Sequence, residues 1–97
     1  MLVDGENVRR STWPNVSRED LAERVAVWGQ THGYAVSVVW EGTTSADDVI
    51  AERVRDLDGP VWVVTSDREL RDRVAPSTER LLGGGSFVRE LDAYRSR

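Results

Sequence analysis

Three short apolar runs limit what this chain can fold into: Met1–Asp4 (MLVD), Ala35–Glu41 (AVSVVWE) and Val61–Thr65 (VWVVT). Val38-Val39-Trp40 and Val61-Trp62-Val63-Val64 are continuous rather than alternating. A strand with one wet face alternates apolar and polar residues, whereas a continuous run suits a parallel strand covered by helices on both faces. The intervening segments carry a helical period. Ser17 precedes an acidic first turn, Leu21, Val25 and Trp28 then share one face, and Gly33 ends the segment. A second helix starts near Ser45 and runs to Leu57, burying Ala46, Val49 or Ile50, Val54 and Leu57, before Asp58-Gly59-Pro60 turns the chain. A shorter helix follows Ser66, with Glu69 completing a capping box and Leu70 and Val74 pointing inward. The last begins at Ser86 and aligns Phe87, Leu91 and Tyr94.

Strand and helix therefore alternate. Right-handed crossovers make a small Rossmann-like, three-layer α/β sandwich with a parallel sheet the simplest solution. Leu81-Leu82 supplies a short fourth strand before Gly83-Gly84-Gly85, and residues 5–16 form the longest irregular stretch. In a chain of 97 residues, 39% of them hydrophobic, about two thirds of the unfolded surface can be buried. That is enough for one modest core and a single domain over residues 1–97.

Composition removes several chemistries. The absence of cysteine excludes disulfides, thiolate nucleophiles, thiolate zinc sites and iron–sulfur clusters. All thirteen basic side chains are arginine, so the lysines of a Walker A loop and of Schiff-base catalysis are missing. A net charge of −4 argues against a protein that coats nucleic acid by global charge, while allowing a local arginine face. The opening lacks the basic leader and apolar run of a signal peptide, and no apolar stretch approaches a membrane span, so the expected compartment is the cytoplasm.

In open parallel sheets, ligands bind beyond the carboxyl ends of the strands. Asp4 ends the first run, Asp67 follows the third, and Asp47 and Asp48 lie in the first turn of the helix after the second. If the first and third strands are neighbours, Asp4 and Asp67 come close together. Crowded carboxylates repel unless protonated or bridged by a cation, and hard Mg²⁺ or Mn²⁺ ions prefer oxygen ligands. Such an ion activates water and stabilises charge on a phosphoryl group. The same aspartates also suit helix starts, where they cap amides or complement the dipole, and Asn7 can brace a turn. The one histidine, His32, leaves no competing transition-metal cluster and reads as a helix C-terminal cap or a solvated residue.

Val3-Asp4-Gly5-Glu6-Asn7-Val8, Ala46-Asp47-Asp48-Val49-Ile50 and Val64-Thr65-Ser66-Asp67-Arg68-Glu69-Leu70, in that order, resemble the YacP-like branch of NYN domains within the PIN-like nuclease fold. Gly85-Ser86-Phe87-Val88-Arg89-Glu90-Leu91 is similar to that branch's closing helix. The resemblance implies a PIN-like domain with Mg²⁺- or Mn²⁺-dependent endoribonuclease activity. Asp4, Asn7, Asp47 and Asp67 then take the acidic-site roles, with Asp48 auxiliary. Asp4, Asp47 and Asp67 would hold the ion directly or through water, and Asn7 would orient Asp4 or a bound water. Two departures stand out. Glu6 occupies a position where the branch often carries an aromatic residue, and the chain is short between the second strand and its helix.

RNA is the implied partner. Arg9 and Arg10, after Asp4, and Arg68, Arg71 and Arg73, beyond Asp67, are the expected phosphate contacts, although Arg71 and Arg73 equally suit the solvated face of a helix. Trp13, before Pro14, is placed to stack on a base or to cover the open end of the sheet. Trp28, Trp40 and Trp62 read as core. Two other classes stay open. One is a non-catalytic RNA-binding or protein-interaction module that keeps the acidic pocket. The other is a phosphatase-like enzyme with Asp4 as nucleophile, which the lack of a second aspartate two residues on, and of any lysine, disfavours. A ribosome or other protein partner, or a homodimer formed across sheet edges, also fits a domain of this size.

Overall fold

Each apolar run becomes a strand shorter than itself: β1 (Leu2–Asp4), β2 (Ser37–Val39) and β3 (Trp62–Val64). The Leu81-Leu82 pair falls in a fourth, β4 (Arg80–Leu82). All pair in parallel, in the order β2-β1-β3-β4. The computed structural model describes residues 1–57 and 59–95, with side chains as far as Ala93. The expected inward position of Tyr94 therefore lies outside the described residues.

Successive side chains of a strand point to opposite faces, and here both faces are dry. Leu2 and Val63 share one core with α3 (Ala46–Asp56) and α4 (Arg68–Val74) through Ala46, Ile50, Val54, Leu70 and Val74. Val3 and Val64 share the other with α1 (Gly5–Arg10), α2 (Arg18–His32) and α5 (Gly84–Arg95) through Val8, Leu21, Val25, Trp28, Phe87 and Leu91. The expected three-layer α/β sandwich is the observed architecture.

Helix starts agree with the sequence where a serine caps. The Oγ of Ser17 accepts the Asp20 amide and that of Ser45 the Asp48 amide, each at 3.1 Å. Gly33 ends α2 in the left-handed region. Ile50, rather than the half-buried Val49, fills the core position of α3.

Elsewhere tertiary context overrode local signals. Residues 5–10, read as irregular, form α1; Val8 is fully buried and the Glu6–Arg9 pair spans one turn, so packing and an ion pair hold a helix too short to stand alone. Leu57 is exposed, because α3 ends at Asp56 and the next residue leaves the helical face. Asp67, not Ser66, caps α4, which places Glu69 at the second helical position, where the expected capping box does not form. The last helix starts at Gly84, two residues before Ser86. Trp62 belongs to neither core: its Nε1 donates to Glu79 at 3.2 Å and the Arg80 guanidinium lies 5.0 Å from its ring. Trp40 is half-buried against the α1–α2–α5 core, with Arg18 over its ring.

Candidate acidic site at the strand ends

The chain leaves β1 for β2 across one face of the sheet and returns to β3 across the other. Strand order thus reverses between β1 and β3, and the carboxyl ends of strands at such a reversal are where open parallel sheets place their ligand crevice. Asp4 closes β1 at this point and is only 5% exposed. It stands at the N-cap position of α1 yet makes no capping bond with its side chain. Instead its Oδ2 accepts the Thr65 hydroxyl at 2.9 Å, and the same Thr65 oxygen accepts the Asp67 amide at 3.1 Å. Burial pushes the Asp4 carboxyl above the usual range; the Thr65 bond offsets part of this, and Asp47, Glu41 and Asp67 add repulsion.

Asp47 is half-buried in the first turn of α3, where Ser45 does the capping. Its carboxyl is also pushed up, by burial first and then by Asp67 and Glu41, against a smaller pull from Arg73. Asp67 does cap a helix: its Oδ1 accepts the Leu70 amide at 3.1 Å. Asp48, exposed, is engaged in an ion pair with Arg73 at 3.0 Å.

Asn7 works on the backbone. Its Oδ1 accepts the Ser66 amide at 2.8 Å, tying α1 to the β3–α4 loop, and no hydrogen bond joins it to Asp4 among the described residues. Ser66 in turn accepts the Gly84 amide at 2.7 Å. A Cβ on Gly84 would sit 2.8 Å from Asn7 Oδ1 and 2.9 Å from Ser11 Oγ, so only glycine lets the start of α5 approach this closely.

Several of the expected RNA contacts have internal partners. Arg9 pairs with Glu6 at 3.2 Å and donates to the Val16 carbonyl, and Arg71 donates to the Thr65 carbonyl at 2.9 Å. Arg73 holds Asp48. Arg10 and Arg68 are exposed and carry no ion pair among the described residues. Trp13 is 92% exposed, which overturns the idea that it covers the sheet end: its loop projects the ring into solvent. Glu6, 8% exposed, is held by ion pairs, since it accepts Arg18 at 2.9 Å as well as Arg9.

Glu41, Thr65, Ser66 and Gly84 complete the site without having been singled out. Glu41 had a readable signal, because it ends the second apolar run just as Asp4 ends the first, and it accepts the Ala46 amide at 3.2 Å. The donor set is all carboxylate and suits a hard divalent ion. Among the described residues no three Asp, Glu or His side chains converge closely enough to hold an ion by themselves. An ion that fits here keeps water over part of its shell, as Mg²⁺ commonly does.

No protein-family model and no curated protein sequence matches the chain. Among solved structures, the crystal structure of Rae1 (YacP) from Bacillus subtilis, in a mutant form, aligns with a TM-score of 0.85 at 20% identity. The alignment covers 99% of this chain and 76% of that one. The chain therefore has a YacP-like fold.

Proposed function

We propose that this chain is a metal-dependent ribonuclease that hydrolyses RNA phosphodiester bonds in the Asp4 crevice. The observation that carries the reading is Asp4 itself: a buried carboxylate with no capping role, at the reversal of strand order, whose neighbouring charges are Asp47, Glu41 and Asp67. Stability disfavours such a cluster, so a function for it is the simpler account. The YacP-like fold agrees with it.

Asp4, Asp47 and Asp67, with Glu41 beside them, would hold Mg²⁺ or Mn²⁺ in part through water, since the side chains do not close around an ion by themselves. When bound, the ion supplies Lewis acidity that makes water a nucleophile near neutral pH and offsets phosphoryl charge. The protein's own part is positioning. Thr65 fixes Oδ2 of Asp4 and leaves Oδ1 without a hydrogen bond among the described residues, while Asp67, with Oδ1 spent on its cap, retains Oδ2. Asp47, in the first turn of α3, adds its carboxylate to that set, and the ion would offset the repulsion from Asp67 and Glu41 that raises its proton affinity. Asn7 and Ser66 set the distance between the loops that carry these acids. The exposed Arg10 and Arg68 would meet the phosphates, and the exposed Trp13 ring offers a stacking face.

The test is cleavage of labelled single-stranded and hairpin RNAs during a Mn²⁺ and Mg²⁺ titration. Asp67→Asn is the informative variant, because asparagine still caps α4; its cleavage rate should fall about 100-fold or more. Unchanged cleavage by purified Asp67→Asn or Asp4→Asn would overturn the site. RNA binding without cleavage by the parent protein would make the chain a binding module instead.

A further inference from the structure

Four polar side chains converge over the turn between β4 and α5, beside the acidic site. A Cβ placed on Gly83 would lie 3.5 Å from Ser66 Oγ, 3.9 Å from Ser86 Oγ and 4.0 Å from Arg71 Nη1. Arg89 reaches the same place, since its Nη2 donates to Ser86 Oγ at 3.1 Å. All the unused groups here are donors. The Ser66 oxygen already accepts the Gly84 amide and the Ser86 oxygen accepts Arg89, while neither hydroxyl proton has an acceptor among the described residues. Arg71 spends one N–H on the Thr65 carbonyl at 2.9 Å, and neither Arg71 nor Arg89 has an ion pair among the described residues. Ser66, Ser86 and Arg89 are exposed, so a ligand reaches them from solvent. Two guanidiniums and two hydroxyls with no carboxylate among them form a donor set for an anion, and the several oxygens of a phosphate match it.

We infer that this donor cluster binds an internal phosphodiester of an RNA strand, next to the one presented to the acidic site. The inference rests on the nuclease reading for its ligand and adds a second point of attachment to it. Thr65 links the two places: its carbonyl takes Arg71 and its hydroxyl goes to Asp4 at 2.9 Å, so the guanidinium and the buried acid flank a single residue. One strand can thus present a phosphate to each. Contacts to phosphate oxygens position a strand without reading its bases, so the cluster sets register and not sequence. A phosphorylated strand end or a free phosphate offers the same oxygens, and the experiment separates these sources.

The measurement is fluorescence anisotropy of short labelled RNAs, with a 5′-hydroxyl or a 5′-phosphate, in EDTA so that nothing is cut, across a salt series. Gly83→Asp puts a carboxylate among the donors at a position where a Cβ makes only ordinary contacts. It should weaken RNA binding about tenfold. Gly83→Ala should melt as the parent does and bind RNA more tightly than Gly83→Asp, which ties the loss to charge. Arg89→Ala should lower the slope of log affinity against log salt by about 0.7, the share of one phosphate on a single strand. Equal affinity for both RNAs, without competition from millimolar inorganic phosphate, supports the internal phosphodiester. Preference for the 5′-phosphate, or competition by the free anion, overturns it in favour of that source. Affinity and salt slope that neither Gly83→Asp nor Arg89→Ala alters, or a parent protein that binds no RNA, also overturn the inference. Cleavage by the same proteins in Mn²⁺ keeps the two readings apart. Affinity that responds to the variants in a protein that never cuts leaves the cluster without the nuclease, and cutting with unchanged KM in both variants leaves the nuclease without the cluster.

Discussion

Asp4 and Glu6, two residues apart, are both buried carboxylates with opposite effects on stability. Desolvation and acidic neighbours raise the Asp4 pKa. Its favourable contribution is therefore complete below the unfolded value of about 3.9 and is lost as pH rises through the higher folded value. Asp4→Asn should accordingly have a higher Tm than the parent at pH 7, and melting curves across pH should show the gap close on acidification. Glu6 is the reverse case, because hydrogen bonds from Arg9, and then Arg18, hold its pKa down. Its contribution is present above the unfolded value of about 4.3 and is lost as pH falls through the folded one. Glu6→Gln should cost about 1 kcal/mol at pH 7 by denaturant titration, and less in acid. The Asp4 assignment lies beyond local sequence, since its partner Thr65 is 61 residues away, whereas the first partner of Glu6, Arg9, stands one helical turn along and only Arg18 comes from the next helix.

Among elements, α1 and the start of α5 matter most to the site. The α1·α5 junction is where Asn7, Ser11 and Ser66 crowd the α-carbon of Gly84. Gly84→Ala should destabilise the fold by about 1–3 kcal/mol through overpacking. It should also pull the Asn7–Ser66 bond apart, so RNA cleavage should fall further than the loss of folded protein accounts for. Chemical denaturation together with activity per folded molecule measures the two effects. Serine caps and the glycine stop of α2 were legible because they act within one turn of chain. The six residues of α1 were not, since a helix that short depends on the core receiving Val8 rather than on its own period. The cap of α4 was displaced for a similar reason: Ser66 is occupied by Gly84, and Asp67 takes its place.

The described residues form a body with a radius of gyration of 12.6 Å, close to the roughly 12.5 Å of a compact chain this long. No helix among them is long and apolar enough to cross a membrane. Binding to the folded state alone stabilises by mass action, by about 2.7 kcal/mol at a hundredfold excess over Kd. Millimolar Mn²⁺ should therefore raise the Tm of the parent protein, and the rise should vanish in Asp4→Asn; equal shifts in both would place the ion elsewhere. Continuous apolar runs, their spacing and the helical stripes between them specify the layered α/β architecture and the identity of most core residues, because burial on two faces leaves a pattern in the chain itself. The aspartates were visible for the same reason, each standing where a strand ends or a helix begins. Their grouping was legible only as a condition, because β1 must lie between β2 and β3 before Asp4, Glu41, Asp47 and Asp67 feel one another's charge. The ring contacts of Trp28 with Tyr34 at 5.5 Å and Phe87 at 5.1 Å likewise exist only after α2 and α5 have met. Repulsion and desolvation are properties of distances between remote residues, and those distances arise from packing.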